Sequence, residues 1–154
     1  MSNDYYKNLP KKRMSAGALI LNEQDEILIV KPAYKDYWSI AGGIVEENES
    51  PRQACLREVK EEIGLDLATL QFLCADYKTN SGKEGEGLHF LFFGGKLTLE
   101  QIKQIKVDGQ EIVDFRFMKL DEVLPLLAEK MRPRLPKALE AINNNSAFYL
   151  EDGK

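Results

Sequence analysis

Glu58, Glu61 and Glu62 stand three and four residues apart in the chain. On a helix, which turns 100° per residue, they fall within an arc of about 100° and so share one side. Glu58 and Glu62 repel as like charges at i and i+4, by roughly 0.2–0.5 kcal/mol in an isolated helix, and a bound divalent cation reverses that sign. Hard divalent cations prefer carboxylate, carbonyl and water oxygens. The surrounding residues 43–65 read GIVEENESPRQACLREVKEEIGL, with six acids against three bases, so most of the net charge of −4 is concentrated there.

Taken one at a time, the same residues say much less. Acidic side chains on an amphipathic helix are usually a solvated face. Arg57 alone reads as a surface ion-pair partner worth about 0–1 kcal/mol, Glu111 alone as a strand-edge residue, and Gly64 as a helix stop. His89 is the only histidine, so Ser-His-Asp, Cys-His and HExxH chemistries cannot be assembled from this chain alone. It reads as structural, on a sheet face that could line a cleft.

The elements that must position the glutamates are legible around them. Ser50 is a good N-cap, Pro51 suits the first helical position, Gln53 completes a capping box and Gly64 is placed to end the helix, which is expected over residues 51–63. On it Cys55, Leu56, Val59 and Ile63 form an apolar stripe that should pack on a sheet. The glutamates border that stripe, on a face centred near Ala54, whose small side chain is expected to leave room beside them. Gly42 and Gly43 allow a sharp turn or a close backbone approach just before the helix.

Residues 14–21 and 26–31 read as a β-hairpin around a turn at 22–25. Strands are expected at 66–77 and 88–97, joined by a polar loop at 78–87, with a helical turn at 99–105. A strand follows at 111–118, a short amphipathic helix at 121–129 and a last helix at 133–143. The chain is expected to divide into a lead at 1–12, one domain at 13–142 and an irregular tail at 143–154, around a mixed and mostly antiparallel sheet.

With 154 residues, 44% apolar and 30% charged, the chain fits a single soluble domain. A pI near 5.2 argues against nucleic acid or an anionic membrane as a partner. No segment approaches the roughly 20 apolar residues of a membrane span, and no signal peptide is visible. Cys55 and Cys74 lack the close spacing of a zinc or redox pair, so a reducing, cytoplasmic setting is expected. Nothing decides the oligomeric state; a homodimer stays open.

Gly43, five residues, Glu49, seven residues, then Arg57-Glu58-Val59-Lys60-Glu61-Glu62-Ile63-Gly64-Leu65 resembles the Nudix box at every specified position. The flanking Trp38 and Gly42-Gly43 and the order of elements extend the likeness over most of residues 13–142, with Ala41 standing where the family commonly has proline. The resemblance implies an α/β/α sandwich and hydrolysis of a nucleoside diphosphate linked to another moiety, by water attack on phosphorus with Mg2+ or Mn2+ bound. It implies Glu58, Glu61 and Glu62 as metal ligands, the Gly43 carbonyl completing the set, and one glutamate activating water. Arg57 would orient glutamates, and Glu111 resembles a glutamate that many members contribute opposite the box as ligand or base. Glu49 would meet a supporting partner or the helix dipole.

Two other functions stay in view: a nucleotide-sensing module that keeps the fold without turnover, for which no defect in the catalytic set is visible, and a helix-based interaction protein, which predicts no metal binding. Substrate choice depends on cleft walls rather than on the box. The proline typical of an ADP-ribose branch is absent between Pro51 and Pro125, as is the extended box of an NADH branch. A nucleoside triphosphate or a nucleotide-sugar type of substrate is left open. Tyr34 and Tyr37 are candidates for base stacking, Trp38 for core packing, and Lys78 and Lys83 for phosphate contact or plain solvation.

Overall fold

A computed structural model describes residues 3–79 and 82–154; residues 1 and 2 of the expected lead and 80 and 81 of the expected loop lie outside them. The elements run α1 (Asn3–Lys7), β1 (Arg13–Asn22), β2 (Ile27–Pro32), β3 (Ala41–Ile44), α2 (Pro51–Ile63), β4 (Gln71–Lys78), β5 (Gly87–Leu97), α3 (Leu99–Lys103), β6 (Ile112–Met118), α4 (Leu120–Val123), α5 (Arg134–Asn143) and β7 (Phe148–Glu151). The seven strands form one sheet in the order β6-β2-β1-β5-β4-β7, with β3 paired to β1 beside this path. The β1–β5 and β4–β7 pairs are parallel and the other pairs antiparallel, the mixed, mostly antiparallel sheet expected.

Strand β1 lies at the centre, and the period of two in a strand sends its side chains to opposite faces. Ala16, Ala18 and Ile20 join Val59 and Ile63 of α2 in one core. Leu19 and Leu21 join Leu135, Ala138 and Ala141 of α5 in a second core on the other face. The sheet is thus covered on both sides, an α/β/α sandwich.

Helix α2 has the boundaries its signals predict. The Ser50 hydroxyl accepts from the Gln53 N–H at 3.1 Å, the Gln53 side chain accepts from the Ser50 N–H at 2.9 Å, and Gly64 ends the helix at φ 75°. Elsewhere several expectations need correction. The strand expected at 66–77 begins only at Gln71. The helix expected at 121–129 is a single α-turn at Leu120–Val123 followed by 3-10 turns at Leu124–Leu126 and Glu129–Met131, because Pro125 has no N–H to continue an α-helix. The tail expected to be irregular forms β7, which extends the sheet beside β4 through pairs from Cys74↔Phe148 to Tyr77↔Glu151. Leu150 of that strand is buried in the second core, and this burial fixes a segment too short to be read as a strand from its own sequence.

Candidate active site

The loop from β3 into α2 brings the Gly-Gly pair against the glutamates. Residues 41–44 of β3 pair antiparallel with β1, and in such a ladder alternate residues turn both N–H and C=O toward the partner strand or away from it. The Val45 N–H donates to the Met14 carbonyl at 2.9 Å. This bond sets the phase: Gly43 turns its polar groups to β1, and Gly42 and Ile44 turn theirs outward. The Gly42 N–H accordingly donates to Glu62 Oε1 at 2.7 Å, and the Ile44 carbonyl accepts from Arg57 Nη2 at 3.1 Å. Only glycine fits at Gly42, where a Cβ would collide with the Ala16 carbonyl, and a Cβ at Gly43 would stand 2.5 Å from the Glu58 carboxyl and displace it.

Arg57 gathers the acids. Its Nε and Nη2 clasp the two oxygens of Glu49 at 2.7 and 2.9 Å, and its Nη1 reaches Glu58 at 3.0 Å and Glu61 at 3.2 Å. The guanidinium holds Glu49 down at about pH 2, and the surrounding carboxylates, Glu49 foremost, push the Arg57 pKa upward. The three helix glutamates differ in environment. Glu61 is half-exposed, Glu58 is largely buried with its pKa raised by that burial, and Glu62 is buried outright. Burial, followed by the charges of Glu58, Glu111 and Glu61, pushes Glu62 up to about 8 against the single opposing bond from Gly42.

Glu111 lies one residue before β6, where its backbone N–H donates to Asp108 at 3.1 Å and its carbonyl accepts from Ala33. Its side chain is exposed and lines the same cleft as Glu58 and Glu62. Ala54, expected to leave room beside the glutamates, is instead fully buried in the first core. Among the described residues no three acidic, histidine or cysteine side chains already converge as an ion would require. Glu58 and Glu61 lean to Arg57, and Glu62 to Gly42. The donor set still fits a hard divalent cation: four carboxylates against one arginine, all oxygen donors, beside an outward-facing backbone carbonyl.

The cleft, of about 760 Å³, runs from these glutamates past β1 and β5 to the start of α5. Tyr34, Tyr37 and Lys78 line it, whereas Lys83 is exposed and outside the lining. Trp38 packs against the second core with the Arg116 guanidinium 4.9 Å from its ring. His89 also lines the cleft and is hydrogen-bonded through Nδ1 to the Ser15 hydroxyl. Two cleft residues, Ser15 and Arg134, and the fully buried Asp76 beneath Arg134 escape a reading by motif. A signal for Asp76 was present, since it follows the buried Cys74 by two residues on β4, and a charge on that inward phase requires a partner.

Residues 11–142 match the family model described as NUDIX domain. An RNA pyrophosphohydrolase of Hydrogenovibrio crunogenus is 39% identical over 61 residues, 40% of this chain and 37% of that protein. The chain spans well under half the length of the first curated relatives it matches. Among solved structures, a UDP-X diphosphatase superposes with a TM-score of 0.75 at 25% identity, over 97% of this chain and 75% of that one. The MutT protein from Methanosarcina mazei Go1 superposes with a TM-score of 0.69 at 23% identity, over 90% and 99%, and shows the shared fold.

Proposed function

The chain belongs to the NUDIX domain family, and from that premise we propose that it is a divalent-metal-dependent pyrophosphohydrolase of nucleotide derivatives. The observation that carries this reading is Glu62: a carboxyl group 6% exposed on the wall of a cleft, amid three further glutamates and bonded, among the described residues, by one backbone N–H alone. A buried carboxyl that its neighbours keep from ionising, and that a cation would ionise, points to a site built for a cation.

Glu58, Glu61, Glu62 and Glu111 would hold Mg2+ or Mn2+, and the phase of the β1–β3 ladder favours the Gly42 carbonyl over the expected Gly43 carbonyl as the backbone ligand. When bound, the metal supplies neutralisation of phosphoanhydride charge and a water of lowered pKa. Arg57 fixes Glu58 and Glu61 while Glu49 fixes Arg57, so the carboxylates enter the reaction pre-aligned. In the step itself a water oxygen bonds to phosphorus, the anhydride P–O bond breaks with its electron pair leaving on the departing phosphate, and one of the glutamates takes the water's proton. The buried, unpaired Cys55 and Cys74 favour a reducing, cytoplasmic setting.

The test is hydrolysis of a nucleotide panel with Mg2+ or Mn2+ and with EDTA, alongside Glu61→Gln and Glu62→Gln. Loss of turnover in EDTA and a fall of about 100-fold or more in the variants are expected. A metal-independent rate, or unchanged turnover in both variants, overturns the reading. Tight nucleotide binding without product would favour a sensing module instead.

A further inference from the structure

Away from the glutamates the cleft floor is polar, and the register of the sheet shows how. Ser15 pairs with His89 and His89 with Asp76, so one row across β1, β5 and β4 sends three polar side chains out of the same face. Arg13 and Lys78 stand in the next row on that face, both opposite Gly87. Over the first row comes Arg134, the opening residue of α5, whose side chain is 7% exposed.

Arg134 is held from one side. Its Nε donates to Asp76 Oδ2 at 2.8 Å, and the other Asp76 oxygen accepts from the Gly153 N–H at 2.9 Å. Gly153 follows β7, so the C-terminal segment fixes the carboxylate that fixes the guanidinium. A guanidinium presents five N–H donors in one plane. Among the described residues Asp76 engages the one on Nε, and Nη1 and Nη2 have no hydrogen-bond partner although Arg134 lines the cleft. Donors held in place through Nε and left open to the cleft are placed to meet acceptors that a ligand supplies.

The charge balance favours an anion. Arg13 donates to the neutral Glu84 carbonyl, Lys78 lies 3.3 Å from Asp152, and Arg134 pairs with Asp76, which leaves these five groups one positive charge in excess. His89 adds none, because burial and then the nearby Arg134 and Arg13 push its pKa down to about 4. The cleft therefore has a carboxylate end and a cationic end.

We propose that Arg134 is a specificity-determining residue that receives a second anionic group of the substrate, a phosphate or a carboxylate remote from the scissile anhydride, and that Asp76 and Gly153 position it. This rests on the pyrophosphohydrolase reading and narrows it to nucleotide derivatives bearing an additional negative group.

The experiment uses two matched pairs, UDP-glucuronic acid against UDP-glucose for a carboxylate, and coenzyme A against its 3′-dephospho form for a phosphate. Hydrolysis with Mn2+ is measured in the full chain, and binding to the Glu62→Gln variant is measured by calorimetry. At least one charged member should be preferred by about tenfold or more in kcat/KM, chiefly through KM, as one charge-assisted bidentate contact contributes. Arg134→Ala and Arg134→Gln should abolish that preference, Arg134→Lys should keep part of it, and Asp76→Asn should weaken it. Equal values for both members of both pairs in the wild type overturn the proposal even if the variants fail to fold. A preference that survives in folded Arg134→Ala overturns it as well. Arg134-dependent binding of a charged member with no hydrolysis of any compound would sink the hydrolase reading and leave this recognition standing.

Discussion

Glu62 gives the site its pH dependence. Its folded-state pKa of about 8 lies above the ordinary 4.5, so the native chain holds a proton that the unfolded chain releases. By linkage, the stability this contributes is fully present below about pH 4.5 and is lost as pH rises through about 8. A metal ion must displace that proton. In calorimetric Mn2+ titrations the affinity is therefore expected to rise from pH 6 to 8 and level off above. About one proton should be released per ion at pH 7 and almost none well above pH 8. Glu62→Gln should flatten the profile; an unchanged slope would contradict the assignment. The spacing of Glu58, Glu61 and Glu62 placed them on one side of a helix, but the division that leaves Glu61 half-exposed, Glu58 largely buried and Glu62 buried depends on how α2 rotates onto the sheet. Arg134 was unreadable for a related reason: its partner Asp76 lies 58 residues away and meets it only through the packing of α5 on β4.

Helix α2 was the most legible element because its determinants are local. The capping box joins residues three apart, and Gly64 needs only its own left-handed conformation. Ser50→Ala should cost about 1 kcal/mol in chemical denaturation. Gly64→Ala, which forces a Cβ into φ 75°, should cost about 1 kcal/mol or more. An unchanged midpoint in both would mean that packing alone sets the helix. Strand β7 shows the opposite case. Phe148–Glu151 is four residues long, too short for its periodicity to be distinctive, and it is a strand because β4 offers it an edge and the second core takes Leu150. The segment after β6 has the apolar spacing of a helix, but the missing N–H of Pro125 decides, and the α-turn gives way to 3-10 turns.

At the scale of the molecule, a mixed, mostly antiparallel sheet was legible from the order of elements and the sandwich from the resemblance carried by residues 43–65, but the pairing that makes one cleft of its parts was not. The parallel β1–β5 pair joins Ser15 and His89, 74 positions apart, and the segment between them contains the Gly-Gly turn and all of α2. Glu111 lies outside that segment and arrives only when β6 pairs with β2. The three glutamates of α2 are placed by β3 on β1, and the fourth carboxylate joins them only after the long-range β2–β6 closure; such closures are the slow, entropically costly part of folding. A ligand of the completed cluster has nothing to hold while the chain is still crossing its barrier. In stopped-flow experiments a saturating divalent ion should lower the unfolding rate and leave the folding limb where it is under EDTA; an accelerated folding limb would mean that the cluster forms early. At 100 times its Kd the ion adds about 2.7 kcal/mol, roughly a hundredfold longer lifetime of the folded state, so the supply of metal would set how long each copy of the protein survives as well as how fast it works.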